Sequence, residues 1–259
     1  MSEDKRPSPA PPAAASTAEA QPTPVAWQPF TFGGVAALAR APSSRVLLIE
    51  SVIALLALAA FLSLVLIDWF PVIDQAIGAL PDAGRIEHRQ LNLPLIESKA
   101  LAENLFLAVV VDVSNSGNVS ASSDVRLEFH RHQFQLCSLV GCVVLPYPSD
   151  WIIEFNRTEL KPRWGAWQPF LLGFIALLTV LGLFLGWASL GVLYCPVAYV
   201  LGFIADRHLT WAGAWRLASA ALMPGALLIT LAILLYASAL IDIVQFAGLA
   251  IVHLLVGWV

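Results

Sequence analysis

The sequence predicts an α-helical integral membrane protein of four or five spans with an inserted small α+β, mainly antiparallel-sheet, extracytoplasmic domain. Hydrophobic residues make up 58% of the 259 positions and charged residues only 12%, and the mean hydropathy is +0.76; soluble globular chains are far less apolar. The tract from Trp167 to Ala205 contains no charged side chain. A polar stretch over residues 68–165 is large enough for one small domain. Together these observations predict both the membrane class and the inserted domain.

The N-terminal region divides into a tail, a short apolar segment and the first span. Residues 1–25 are rich in Pro, Ala and Ser, a composition that buries too little apolar surface to fold, so we predict a disordered tail. Residues 26–45 carry apolar side chains at spacings that suit one helical face, which fits either a helix in the membrane interface or a structured linker. Residues 46–67 are long and apolar enough to form the first transmembrane helix.

The spacing of apolar residues changes along the polar domain of residues 68–165. Apolar positions over 72–80 suit a short amphipathic helix closed by Pro81. After it, β-rich runs over 105–111 and 125–129 flank a segment rich in Ser, Asn and Gly, which predicts a strand, a turn and a strand. Further short strands are predicted around residues 134–136, 143–145 and 151–155. We therefore expect a small antiparallel sheet with one helix.

Residues 166–259 form the predicted transmembrane bundle. At a rise of about 1.5 Å per residue, the tract from Trp167 to Ala205 exceeds one crossing of a hydrocarbon core about 30 Å thick. It therefore crosses once with excess length, or twice with a tight turn at Gly186 or Gly191. Further spans are predicted over 217–240 and 243–259. The total is four spans with one crossing and five with two.

The basic residues predict the orientation of the chain. Lys5 and Arg6 in the tail, with Arg40 and Arg45 before the first span, place the N-terminus in the cytoplasm by the positive-inside tendency. The polar domain is then outside the membrane, although Lys161 and Arg163 at its end point weakly the other way. The expected location is the plasma (inner) membrane of a bacterium, with multiple spans.

Cysteine and histidine positions suggest two candidate sites in the polar domain. Cys137 and Cys142 flank a segment that suits a hairpin, and outside the cytoplasm nothing would keep their thiols reduced, so we predict a disulfide. His130 and His132 would share a face of one strand, and His88 could approach from a neighbouring strand to complete a three-imidazole metal site. Surface histidines without diagnostic spacing are the commoner situation, so we predict no metal.

Glu50 is an acidic residue within the first predicted span. An intramembrane carboxylate is a default candidate for a proton or ion site. Its position within two turns of the start of the helix favours an interfacial carboxylate instead.

The sequence contains none of the usual enzyme or cofactor motifs. A nucleophile elbow, a phosphate-binding loop, a dinucleotide fingerprint and a helical zinc motif are all absent, and no basic stripe suits nucleic acid. We therefore expect no enzymatic activity, no cofactor and no nucleic-acid partner.

Three groups of residues carry a family resemblance that runs from about Trp27 to the end of the chain. They are Leu80, Pro81, Asp82 and Ile86; Val109, Val110, Val111, Asp112 and Gly117; and Trp215, Arg216, Leu217, Ala218 and Pro224. The chain resembles a bacterial family of uncharacterised membrane proteins that includes maltodextrin-utilisation accessory proteins and is distantly similar to the Yip-type membrane family. It departs from the family at His88 and Arg89, where an Asp-Gly turn is usual. The family has no known catalytic residues, so the resemblance implies no site.

Two functional hypotheses follow for such a membrane protein. The first is that the outer domain docks on, or senses, another envelope component, possibly as an accessory to a transporter. The expected partners are then the lipid bilayer and an envelope protein. The alternative is a transporter or channel subunit, against which the predicted spans hold few ionisable residues, namely Glu50, Asp242 and His253.

Overall fold

The computed structural model describes residue 29 and residues 31–94, 98–114, 122–150 and 152–256. The tail predicted over residues 1–25 lies outside them. Three helical stretches are long and apolar enough to cross a membrane, namely Ser43–Gly78, Arg157–Ile204 and Trp211–Ala237. The prediction of long apolar helices with a small sheet region is confirmed, and the length and composition of these helices suggest a membrane protein.

Six α-helices form the helical part of the described chain. They are α1 Phe32–Arg40, α2 Ser43–Leu64, α3 Phe70–Gly78, α4 Arg157–Ile204, α5 Trp211–Ala237 and α6 Ile243–Val256. Three of them start at side-chain caps, because Thr31, Asn156 and Thr210 each accept a hydrogen bond from a backbone N–H of the first turn. A π-helical turn over Val65–Trp69 joins α2 to α3 without a break.

The charge-free tract lies within a single helix. Helix α4 runs for 48 residues without interruption, which corresponds to about 72 Å at 1.5 Å per residue. The turn at Gly186 or Gly191 that five spans require is therefore not formed. Instead, the helix uses its excess length to begin inside the predicted polar domain, at Arg157.

The last predicted span is short in the described part of the chain. Helix α6 has 14 residues, whereas a crossing takes about 20. Up to residue 256 the structure thus has three helices of spanning length and one shorter apolar helix, whereas the sequence predicts four or five spans.

The helical bundle packs α2 against α4 and α5. Its core contains Val46 and Ile53 of α2, Trp187 of α4 and Met223 of α5. Helix α1, within the segment predicted as an interfacial helix or a linker, packs on the same bundle.

Helix α1 is held to α5 by packing and by a hydrogen bond. Leu38 is completely buried and contacts Ala220. At the end of the helix, Arg216 donates from Nη1 to the carbonyl oxygen of Ala41 at 2.8 Å.

The polar domain contains two small sheets. The first is three-stranded with the order β2-β1-β8, and the second is five-stranded with the order β3-β4-β5-β6-β7. The strands are β1 Arg85–Glu87, β2 Gln90–Asn92, β3 Lys99–Glu103, β4 Leu107–Asp112, β5 Val125–His130, β6 Gln133–Ser138, β7 Gly141–Pro146 and β8 Ile153–Glu154. The predicted short helix is confirmed as α3, which packs through Val72 and Ala76 on Leu107 and Val109 of β4.

One predicted strand pairing is wrong. Strands β4 and β5 are parallel, with a register from Leu107 opposite Val125 to Asp112 opposite His130, so they are not the two arms of a hairpin. All six residues of β4 are buried, which is typical of a central strand covered on both faces. A parallel pair cannot be joined by a tight turn, and turn-forming composition does not indicate the relative direction of the two strands.

Candidate functional site

The five-stranded sheet has one face that is only partly covered. Leu127 of β5 pairs with Leu136 of β6, and Leu136 pairs with Val143 of β7, so these side chains lie on one face with those of β4 that contact α3. Helix α3 covers the β3–β5 half of this face. On the β6–β7 half, Leu136, Val143 and Leu145 are 44%, 59% and 43% exposed. We call these three residues the apolar shelf.

Strand β7 forms the edge of the sheet beside this shelf. It pairs with β6 on one side and has no strand on the other side among the described residues. Its six residues are uncharged and all exposed. Natural edge strands are usually protected by charges, bulges or a covering segment. Here only Pro146, at the end of the strand, offers such protection.

The register of the hairpin identifies the backbone groups at the free edge. The Ser138–Gly141 pair closes the two-residue loop, and hydrogen-bonded and non-hydrogen-bonded pairs alternate from there. The backbone groups of Cys142 and Val144 consequently face away from β6. They offer N–H donors and C=O acceptors to an added strand.

The predicted cysteine pair lies at the end of this hairpin. Cys137 and Cys142 are directly opposite each other in β6 and β7, with a disulfide between them and Cα atoms 4.0 Å apart. The cross-link ties β7 to β6 next to the Leu139–Val140 loop. It therefore holds the exposed edge in place without any covering element.

The three candidate metal-binding histidines are not assembled into a site. His88 and Arg89 are the exposed turn between β1 and β2, both at positive φ, and His132 is exposed in the β5–β6 turn. His130 is buried, with Nε2 3.3 Å from Oε2 of Glu128. Within the described part of the chain no group of three or more His, Cys, Asp or Glu residues could hold a metal ion.

The groups around His130 stabilise the fold of the sheet. The Tyr147 hydroxyl donates to the His130 carbonyl oxygen at 2.9 Å, and burial raises the pKa of the Tyr147 phenol above its usual range. The phenol therefore stays a neutral donor that ties the segment after β7 to the end of β5. Strand β5 ends at His130, so His132 is displaced from the common face that the sequence suggested.

A set of polar contacts joins the polar domain to the bundle. The Asn104 side chain donates from Nδ2 to the Asp68 carbonyl oxygen in the π-helical turn, at 2.8 Å. The Tyr236 hydroxyl of α5 donates to Oδ2 of Asp124 at 2.7 Å. The rings of Phe106 and Tyr236 meet edge to face with centroids 5.0 Å apart. Sequence patterns did not identify these contacts, since each joins residues distant in the chain.

Glu50 lies inside the bundle rather than at its surface. The residue is only 6% exposed. It lines a small cavity together with Trp187 of α4 and Ser219 of α5. The cavity has room for about one water, with a volume of about 10 Å³. Glu50 is therefore enclosed by the packing of α2, α4 and α5, and its location at the membrane interface stays a prediction.

Ser219 provides a testable feature of this cavity. Its hydroxyl is buried and has no hydrogen-bond partner among the described residues. We expect Ser219→Ala to raise the free energy of unfolding by about 1 kcal/mol, because it removes a buried polar group without a partner. Equilibrium unfolding of the purified chain in mixed micelles measures the change.

Thr230 is the matched control for Ser219 on the same helix. Its hydroxyl is buried and donates to the Ala226 carbonyl oxygen at 2.8 Å, so Thr230→Val should lower the free energy of unfolding by about 1 kcal/mol. A loss of stability in both variants would mean that the Ser219 hydroxyl is hydrogen-bonded in the membrane, by water or by Glu50.

No family model, curated protein or solved structure matches this chain. The resemblance to the family of maltodextrin-utilisation accessory proteins stays a prediction.

Proposed function

We propose that this chain is a non-enzymatic multi-pass protein of the bacterial plasma membrane whose outer domain docks another envelope component. The partner adds an extended segment to the free edge of β7 and covers the apolar shelf with its side chains. The exposed, uncharged edge strand is the observation that carries the proposal. In this arrangement the N-terminus is cytoplasmic and the sheet is outside the membrane.

Strand addition uses the groups that β7 leaves unpaired. The N–H groups of Cys142 and Val144 supply backbone hydrogen bonds, and the shelf supplies contacts for alternate side chains of the added strand. Neither β7 nor the shelf carries a charge. The partner segment is therefore extended, uncharged and apolar at alternate positions.

The direction of β7 favours a different protein over a second copy of this chain. Strand β7 begins near the bundle, because Cys142 and Leu139 line a cavity with Ile243 of α6. Its other end leads to Tyr147, which packs with Leu80 beyond α3. The strand thus runs away from the bundle. Two copies related by a two-fold axis along the membrane normal would place their β7 strands side by side and parallel, whereas symmetric edge pairing needs antiparallel strands.

The outer domain is attached firmly enough to the bundle to position a docked partner. Asn104 and Asp124 bind the π-helical turn and α5 through the contacts with Asp68 and Tyr236. A partner on β7 would therefore be held at a fixed distance from the membrane. This suits an accessory or sensing role.

Removing the Val144 N–H tests this docking mode. A photoreactive amino acid at position 145 of the full chain, illuminated in native membranes, should give a discrete adduct with one envelope protein. We expect Val144→Pro to lower the adduct yield about tenfold, since it removes a donor at the free edge. Proline is compatible with an edge strand, and the pairing with β6 does not use this N–H.

Val144→Ile is the control, because it keeps the donor and the apolar side chain; its adduct yield should match that of the unmodified chain. Peptide mapping should place the cross-link within an extended apolar segment of the partner. A yield that is equal in Val144→Pro and Val144→Ile would contradict strand addition, and an adduct between two copies of this chain would contradict the proposed partner.

A transporter or channel subunit is the second candidate function. The burial of Glu50 among α2, α4 and α5 is the observation that favours it. Absence of any adduct at β7, together with solute flux in liposomes that hold the purified chain, would replace the docking proposal by this one.

A further inference from the structure

An apolar groove lies between the end of α4 and the start of α5. It has a volume of about 370 Å³, within the range of small-molecule sites. Its walls are apolar or small side chains of the two helices, among them Val197, Leu201, Leu217 and Ala221. Both helices are of spanning length and composition, so lipid is the surrounding that we infer for this groove.

A single cation lies at the mouth of the groove. Arg207 lines the groove, is exposed and forms no ion pair with another described residue. Leu209, two residues further along the chain, lies close to α4. Its Cβ atom is 3.3 Å from the position that a Cβ atom on Gly202 would take. The short connection between the helices is therefore folded back against the end of α4.

The backbone holds Arg207 at this position. The Arg207 N–H donates to the Gly202 carbonyl oxygen at 2.9 Å, and the Asp206 N–H donates to that of Phe203 at 3.1 Å. Asp206 has a φ of 53°. These are the features of a Schellman motif, which ends a helix in one defined geometry. The Arg207 side chain is thus attached to an ordered backbone at the edge of the groove.

We propose that this groove is a binding site for one anionic phospholipid. An acyl chain fills the groove along α4 and α5, and the phosphate accepts hydrogen bonds from the Arg207 guanidinium. An apolar wall with one cation at its end matches a molecule with an apolar chain and an anionic head. Basic pockets between membrane helices recognise lipid head groups in this way. Free phosphate would leave the apolar walls unused.

Lipid retention by the purified full chain tests the site. Native mass spectrometry compares phosphatidylglycerol with phosphatidylcholine of the same acyl chains. The unmodified chain should retain phosphatidylglycerol about fivefold more tightly, the preference expected from one basic side chain near an anionic head group. Arg207→Gln should abolish this preference, and Arg207→Lys should keep most of it.

Two further variants separate charge from shape. Ala221→Phe fills the groove and should reduce the retention of both lipids, while Arg163→Gln, at the opposite end of α4, should behave as the unmodified chain. Equal retention of the two lipids by the unmodified chain would overturn the proposal. It would also be overturned by an unchanged preference in Arg207→Gln, or by unchanged retention in Ala221→Phe when circular dichroism shows intact helices.

Discussion

Replacing Gly225 by alanine is expected to lower the free energy of unfolding of the bundle by about 3 kcal/mol. A Cβ atom on Gly225 of α5 would lie 2.4 Å from the carbonyl oxygen of His253 and 3.3 Å from its carbonyl carbon. These are backbone atoms of α6, so no side-chain rotation relieves the overlap. The two helices must move apart. Equilibrium unfolding in mixed micelles measures the loss.

Gly248 of α6 provides the matched control for Gly225. It has the same residue type in an apolar helix, but a Cβ atom there would meet nothing within 4 Å. Gly248→Ala should therefore stabilise the chain by up to about 1 kcal/mol, the difference in helix propensity. Equal effects of the two substitutions would show that the contact between α5 and α6 is not as described.

Replacing Asn104 by alanine is expected to lower the free energy of unfolding by about 3 kcal/mol and to loosen the polar domain from the bundle. The side-chain oxygen Oδ1 of Asn104 accepts from the N–H groups of Phe106 and Leu107, at 3.0 and 2.8 Å, while its side-chain Nδ2 donates to the Asp68 carbonyl oxygen. The substitution removes all three hydrogen bonds and leaves part-buried backbone groups without a partner. Hydrogen exchange should then increase at the start of β4 and in the π-helical turn.

Asn92 is the control for Asn104 in the same domain. It ends β2 with an exposed side chain, and substitutions at such positions usually change stability by less than about 0.5 kcal/mol. Increased exchange confined to the β3–β4 turn, with an unchanged π-helical turn, would mean that Asn104 supports only its own loop.

The contact between Asn104 and Asp68 also joins the polar domain to the π-helical turn between α2 and α3. A π-helical turn shifts the helical hydrogen bonds by one residue, and such turns often occur at functional positions. Here the Asp68 carbonyl oxygen, inside the turn, accepts from the Asn104 side chain of the polar domain. The turn is therefore one point at which the polar domain is attached to the helical bundle.

Composition and local patterns determined the elements of this chain. Charge-free and apolar runs predict α2, α4 and α5, because unpaired backbone groups in hydrocarbon are satisfied only within a helix. The apolar spacing over 72–80 predicts α3, and the spacing of Cys137 and Cys142 identifies the β6–β7 hairpin. These features depend on residues close together in sequence. A period or a short spacing is therefore enough to recognise them.

Only the tertiary structure decided how these elements meet. The parallel pairing of β4 with β5 depends on which strands cover β4, and the burial of Glu50 depends on the faces that α4 and α5 present to α2. Likewise, the apolar alternation of β6 and β7 predicts a covered face, whereas α3 is too short to cover more than the β3–β5 half of the sheet. The β6–β7 half of the sheet stays uncovered because packing depends on contacts between residues distant in sequence. No local sequence pattern predicts such contacts.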